Sequence, residues 1–183
     1  MGSTKAETIL QEIESNPDNR LIVGRRRGQV LVRLAKEFQP KRILEIGTNL
    51  GYSAILMAKE LSPRARITTI EANPDFAKQA EQHIRRAGLQ AKVEVLVGDA
   101  RSILPTLKGE FELVFIDGTK SEYLDYLKLI EDKLFRGSII VADNVGRRAN
   151  EMQDYLTHVR YSGKYESRFI AVGEDGVELS IKR

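Results

Sequence analysis

The segment Arg42-Ile43-Leu44-Glu45-Ile46-Gly47-Thr48-Asn49-Leu50-Gly51-Tyr52-Ser53 constrains this chain more than any other. A short apolar run ends beside an acidic residue, passes through Gly-x-x-x-Gly, and continues at helical spacing from Ser53 to Ala58. That pattern specifies a strand, a tight turn and a helix start. Glycine at position 47 permits a backbone conformation that a side chain obstructs, and it lets a ligand approach closely. In an open α/β sheet, a nucleotide-like ligand sits at the carboxyl end of such a first strand. An ordinary strand-to-helix turn reads the same way, so the rest of the chain decides.

The rest of the chain repeats the theme. Glu7 to Glu14 carries Ile9, Leu10 and Ile13 at helical spacing. Asn16-Pro17-Asp18-Asn19 breaks that helix, and a second is marked by Val30, Leu31, Leu34, Ala35 and Phe38. Strands are expected at 66–71, 92–97, 111–116 and 137–142. Between them lie helices from Asn73 to Gly88, up to Leu107, from Tyr123 to Lys133 and from Asn150 to Arg160. Lys164 to Val172 and Val177 to Lys182 read as a closing hairpin around Gly173-Glu174-Asp175-Gly176. The alternation implies an α/β fold with a doubly wound, mostly parallel sheet and a C-terminal antiparallel hairpin. The 183 residues suit one domain, 1–183, with a helical cap over 1–40 and the core over 41–183.

Composition removes several function classes. The absence of Cys excludes disulfides, thiolate metal sites and a cysteine nucleophile. No apolar run is long enough to cross a membrane and the N-terminus has no apolar signal region, so a cytoplasmic protein is expected. The net charge of +3 is mild. Arg25-Arg26-Arg27 reads as a solvated turn more readily than as a nucleic-acid patch, because acidic residues are spread throughout. His83 and His158 fall among charged neighbours inside predicted helices and read as surface residues.

The acidic and amide residues Glu45, Glu71, Asp99, Asp117, Asp143 and Asn144 each follow a buried apolar run. The strand ends of a parallel sheet share one rim, so these side chains should converge. Glu71, one strand after the glycine turn, stands where an acidic residue binds ribose hydroxyls. Asp99 accepts from an exocyclic amine or simply caps the helix at Arg101-Ser102. Asp117, Asp143 and Asn144 form an all-oxygen set that suits a hard divalent ion such as Mg²⁺. Zinc would ask for His or Cys. Lys120, one turn after Asp117, is either a solvated helix-start lysine or a base. Beside a divalent ion its charged form is disfavoured, and a neutral amine takes a hydroxyl proton.

The dinucleotide fingerprint Gly-x-Gly-x-x-Gly is incomplete here, and Glu45 would repel phosphate. A carboxylate suits an ammonium or sulfonium instead, and S-adenosylmethionine carries both. The turn resembles the first motif of Rossmann-like methyltransferases. With Glu71-Ala72-Asn73-Pro74-Asp75, Phe115-Ile116-Asp117, Lys120 and Ala142-Asp143-Asn144-Val145, nearly the whole chain resembles the catechol O-methyltransferase family.

That resemblance implies metal ligands at Asp117, Asp143 and Asn144, a base at Lys120 and a ribose-binding acid at Glu71. It also implies an acceptor held near Lys120 and Asn144. Val23-Gly24 with Gly28-Gln29 is similar to the segment packing on the cofactor's methionine part, and Ser53 matches a contact near its carboxylate. The implied cofactor set is Val23, Glu45, Gly47, Asn49, Ser53, Glu71, Ala72, Asp99, Ala100 and Asp117. Departures fall on the acceptor side. Thr119 stands where the animal enzyme has tryptophan, and Val145-Gly146-Arg147-Arg148-Ala149 lacks a proline-containing wall. The late acidic residue that holds a second hydroxyl has no clear match beyond Glu174. The implied activity is methyl transfer from S-adenosylmethionine to a hydroxyl of a small catechol-like acceptor chelated by a divalent ion. The alternative acceptor is a hydroxylated uridine of tRNA. The resemblance leaves a homodimer open.

Overall fold

The computed structural model describes residues 4–17 and 22–183. Asp18 and Asn19 of the expected helix break lie outside them. The strands are β1 (Arg42–Ile46), β2 (Arg66–Glu71), β3 (Val93–Val97), β4 (Leu113–Ile116), β5 (Ile139–Ala142), β6 (Tyr165–Val172) and β7 (Asp175–Lys182). They form one sheet in the order β3-β2-β1-β4-β5-β7-β6. The first five are parallel, β7 is antiparallel to β5, and β6 is antiparallel to β7. The doubly wound sheet with a closing hairpin is therefore observed.

Side chains alternate across each strand, and the alternation sorts them into two cores. Ile43, Ile67, Leu113 and Phe115 face a core shared with helices α1 (Lys5–Ser15), α2 (Gly24–Phe38), α3 (Tyr52–Ala58) and α4 (Pro74–Arg86). Leu44, Ile46, Val114 and Ile116 face the other, shared with α5 (Ala100–Ile103), α6 (Tyr123–Ile130) and α7 (Gln153–Tyr161). Helix starts are set by local chemistry. Thr4 accepts from the Glu7 N–H at 3.2 Å, and Asn73 accepts from the Asp75 N–H at 2.9 Å with Pro74 behind it.

Three expectations are corrected. Helix α2 starts at Gly24, not near Val30, so Arg25-Arg26-Arg27 are helical and not a turn. Arginine is a good helix former. Gly28 lies inside the helix and packs toward Leu56, whose Cδ1 would stand 2.5 Å from a Cβ at that position. The hairpin turn is narrower than expected, since Asp175 and Gly176 already pair with Val172 and Ala171. The two histidines are half-buried, not on the surface. The ring of His83 bonds the Leu50 carbonyl at 2.9 Å, and that of His158 bonds Glu131 at 3.1 Å.

Glu131 ties α7 to β6. It accepts from His158 at 3.1 Å, Lys164 Nζ at 2.7 Å and Tyr165 Oη at 2.8 Å. Burial opposes its charge, but the bonds from Lys164, His158 and Tyr165 outweigh burial and pull its pKa down to about 2. A depressed carboxylate contributes stability above its unfolded pKa and loses it as pH falls through the folded one. Glu131→Gln should therefore cost about 1.5–3 kcal/mol near pH 7. The gap from wild type should shrink progressively between about pH 4.5 and about pH 2. Urea unfolding across that range checks it, and a pH-independent gap would refute the assignment.

Candidate active site

The sheet order reverses between β1 and β4, and the loops leaving those two strands line a cleft. Gly47 sits in this crevice with φ +97°, and a Cβ on it would stand 2.4 Å from the Asp117 carbonyl oxygen. The glycine is therefore required twice, for its conformation and for the approach of the two loops. The N–H groups of Gly47 and Thr48 donate to the Ile70 carbonyl at 2.9 and 3.2 Å, folding the turn over the end of β2.

The cleft has a volume of about 480 Å³. Of the residues expected at a site, Gly47, Asn49, Glu71, Ala72, Asp99, Ala100, Asp117, Lys120 and Asn144 line it together. Glu71 accepts from the Asn49 N–H at 2.8 Å and the Asn73 N–H at 2.9 Å, so its carboxylate is fixed between two loops. Asp99 does cap α5, accepting from the Arg101 N–H at 3.3 Å and Ser102 Oγ at 3.2 Å, and it also faces the cleft.

The ionisable groups gather at the ends of β4 and β5, where Asp117 and Lys120 line the cleft and Asp143 does not. Lys120 is only 6% exposed, against the sequence alternative of a solvated lysine. Its Nζ donates to Asp117 Oδ1 at 2.7 Å and to Tyr123 Oη at 2.8 Å, and Tyr123 Oη donates to the Asp143 carbonyl at 3.3 Å. Asp143 is fully buried, and neither carboxylate oxygen has a hydrogen-bond partner. Arg27 Nε lies 3.4 Å from its Oδ1. Burial, with the nearby Asp117 charge adding, raises the Asp143 pKa to about 7. Burial raises Asp117 as well, against the pull of Lys120 and Arg27. A fully buried carboxylate without hydrogen bonds, near a second that accepts from Lys120, makes a site that a cation would relieve. Among the described residues no cluster of three or more His, Cys, Asp or Glu has metal-holding geometry. The candidate set has two carboxylates, its third member being the Asn144 amide.

Some expected residues lie elsewhere. Glu45 is fully buried and does not line the cleft. It shares the face of Ile43, one strand position out of phase with the rim, and accepts from Thr69 Oγ1 at 2.6 Å. Ser53 is buried beneath the cleft wall and does not line it. Val23 lines a separate hollow beside Arg26 and Arg147. Glu174 is 84% exposed and pairs with Arg147, so it is not an acid of the cleft.

Two residues that sequence reasoning missed stand outside the cleft, in the separate hollow that Val23 lines. Arg27 Nη1 donates to Asp175 Oδ2 at 2.6 Å, and Asn144 Nδ2 donates to the same atom at 3.1 Å. For Arg27 the available signal was its place four residues before Leu31 on the buried face of a helix. For Asp175 it was the Asp-Gly pair, taken as turn chemistry. Thr119, Glu122, Tyr126 and Arg148 are among the polar residues that line the cleft itself.

Over most of its length the chain is similar to known methyltransferases. A family described as O-methyltransferase matches residues 3–155. A catechol O-methyltransferase of Sus scrofa is 41% identical over 172 residues, covering 87% of this chain and 91% of that protein. Among solved structures, an O-methyltransferase from Bacillus cereus in complex with SAH superimposes with a TM-score of 0.89 at 26% identity. The match covers 100% of this chain and 92% of that one. An O-methyltransferase from Streptomyces achromogenes involved in tomaymycin synthesis, in complex with SAM, gives 0.86 at 29% identity, over 100% and 91%.

The burial of Glu45 has a measurable consequence. Burial raises its pKa to about 7, with the hydroxyls of Ser53 and Thr69 opposing and the charges of Asp117 and Glu71 adding. A carboxyl with a raised pKa binds its proton more tightly in the folded state, so ionising it costs stability from about pH 4.5 up to about pH 7. Glu45→Gln should remove that decline, a difference on the order of 3 kcal/mol. Thermal unfolding of the two proteins near pH 5 and near pH 8 checks it. The variant should gain on wild type as pH rises, and parallel curves would show that Glu45 titrates normally.

Proposed function

The chain belongs to the catechol O-methyltransferase-like family of O-methyltransferases, and from that premise we propose that it methylates a hydroxyl of a small catechol-like acceptor. The donor in this reading is S-adenosylmethionine, and Asp117, Asp143 and Asn144 hold a divalent cation such as Mg²⁺. The observation that carries the proposal lies at the ends of β4 and β5. There a buried lysine and an amide line the cleft, and Asp143, next to that amide in the chain, keeps a fully buried carboxylate without hydrogen bonds.

The donor supports the reading by its shape and charge. Glu71, fixed by two backbone amides at the lip, is placed to accept from ribose hydroxyls. Asp99 and Ala100 form the wall where an adenine would lie. When bound, S-adenosylmethionine supplies an electrophilic methyl on a sulfonium. The residues present also fit a hard cation, because both oxygens of Asp143 lack donors and the set is all oxygen. When bound, such an ion would bring adjacent acceptor oxygens together and lower a hydroxyl pKa.

Lys120 then does the proton chemistry. In the structure its Nζ is held by Asp117 and Tyr123, which together aim it into the cleft. In this reading Lys120 is the base that takes the hydroxyl proton. The acceptor oxygen attacks the methyl carbon in line, the carbon–sulfur bond breaks, and its electron pair stays on sulfur. The products are a methyl ether, S-adenosylhomocysteine and a protonated Lys120. Holding the reacting atoms in line is the fold's main contribution.

A small acceptor is preferred over tRNA because similar curated proteins are catechol O-methyltransferases and Arg27 of the basic triplet is drawn to Asp143 and Asp175. The testing experiment is methyl transfer from S-adenosylmethionine to catechol, with Mg²⁺ and with excess chelator. Activity is expected only with the ion, and full activity in chelator would remove the cation from the reading. Lys120→Ala should lower kcat by about 10²–10⁴-fold with little change in donor binding. Lys120→Arg should not restore it, because guanidinium keeps its proton. The defect should narrow for an acceptor with an already acidic hydroxyl, such as a nitro-substituted catechol. A fully active arginine variant would make Lys120 a positioning residue.

A further inference from the structure

Asp175, the first residue of β7, is not among the groups that touch the cleft, yet it organises one that does. Its Oδ2 accepts from Arg27 Nη1 at 2.6 Å and from Asn144 Nδ2 at 3.1 Å. Its Oδ1 accepts from the N–H groups of Gly146 at 3.0 Å and Arg147 at 2.9 Å. The approach is close. A Cβ on Gly146 would lie 2.9 Å from the Asp175 Cα, and the Val145 N–H bonds the Gly176 carbonyl at 3.0 Å. The loop after β5 is thereby bent so that Asn144 takes φ +61°, a left-handed conformation that asparagine tolerates better than most residues.

The chemistry of the contact fixes an orientation. A carboxylate receiving four donors, one of them a guanidinium, is ionised and can only accept. The Asn144 amide has one accepting end and one donating end, so its NH₂ must face Asp175. Its Oδ1 is then the end left for the cleft that Asn144 lines. A freely turning amide would offer the cleft its NH₂ half the time, and a partial positive charge there repels a cation.

We propose that Asp175 is a positioning residue that fixes the oxygen end of the Asn144 amide toward the cation and acceptor, with Arg27 bridging Asp175 to Asp143. This rests on the cation reading given above. It makes helix α2 part of the site's architecture, since Arg27 carries one carboxylate of the rim and one of the hairpin on a single side chain. Partners that orient metal ligands typically account for about 10–100-fold in metal affinity.

The test uses the full chain, Mn²⁺ as the spin-active probe and S-adenosylhomocysteine as the donor-site probe. Asp175→Asn can turn its own NH₂ toward Asn144 and force that amide around. Mn²⁺ affinity should fall about tenfold or more, while calorimetric binding of S-adenosylhomocysteine stays near wild type. Adding Asn144→Asp to that variant should restore Mn²⁺ binding, because a carboxylate presents oxygen on both faces and the amide introduced at position 175 can donate to it. Unchanged Mn²⁺ affinity in Asp175→Asn would overturn the proposal. So would parallel loss of both probes, or a double variant that stays weak. Failure of the wild-type chain to bind Mn²⁺ would instead bring down the cation reading, and this inference with it. A second readout needs no Asp175 variant. The Asn144 side-chain amide hydrogens, identified by their loss in Asn144→Asp, should be protected from exchange in wild type. If Asp175→Asn does not fold, that protection decides, and its absence overturns the proposal.

Discussion

The approach of the β1 and β4 loops at the switch point is the constraint on which the rest of the structure depends. A Cβ at position 47 would sit inside the Asp117 carbonyl group, so the chain closes this gap only with glycine. Closing it allows the Asp117 N–H to bond the Ile46 carbonyl at 2.8 Å and the Asp143 N–H to bond that of Ile116 at 3.0 Å. Those bonds extend the parallel ladder past the strand ends, and they bring Asp117 and Asp143 to one depth. Substituting Gly47 would therefore separate the carboxylates as well as strain a turn. The site is a property of sheet closure, and its residues need no dedicated scaffold of their own.

Sheet closure also creates an electrostatic imbalance. Asp117 and Asp143 are both raised, by burial first and then by what surrounds them. Lys120 and Arg27 answer part of the negative charge, but Arg27 shares its guanidinium with Asp175 and comes no nearer than 3.4 Å to Asp143. Burying a charge without hydrogen bonds is expensive, and a protein keeps such a group where another charge is due to arrive. That is why the bare carboxylate of Asp143 weighs more than the total number of acidic residues around the cleft.

The fold was legible because its signals are periodic. Each β strand from 42 to 142 is a short apolar run with a polar residue at its end, and glycine or asparagine marks the turns. The rim was legible for the same reason, since strand ends of a parallel sheet have nowhere else to point. What escaped were contacts between residues far apart in sequence. Arg27 lies in a basic triplet that looks solvated, and only the return of β7 shows that one of the three is drawn inward to Asp175. Glu45 was misplaced by treating the end of a strand as its rim. It shares a face with Ile43, and the twofold period sends both into the core. His83 and His158 looked exposed because their neighbours are charged, while their own rings turn back to Leu50 and Glu131.

The acceptor side follows from what the walls lack. Thr119, Glu122, the buried Tyr126 and Arg148 are among the polar residues that line the cleft. Arg148 is held by Glu151 at 2.6 and 2.5 Å, so it presents a fixed, largely compensated guanidinium rather than a free charge. With no tryptophan in the chain, the lining offers Phe76, Ile46 and Ile70 beside its hydroxyls and an arginine, with no indole wall. In the reading proposed above, selectivity would then come from where the acceptor carries its oxygens.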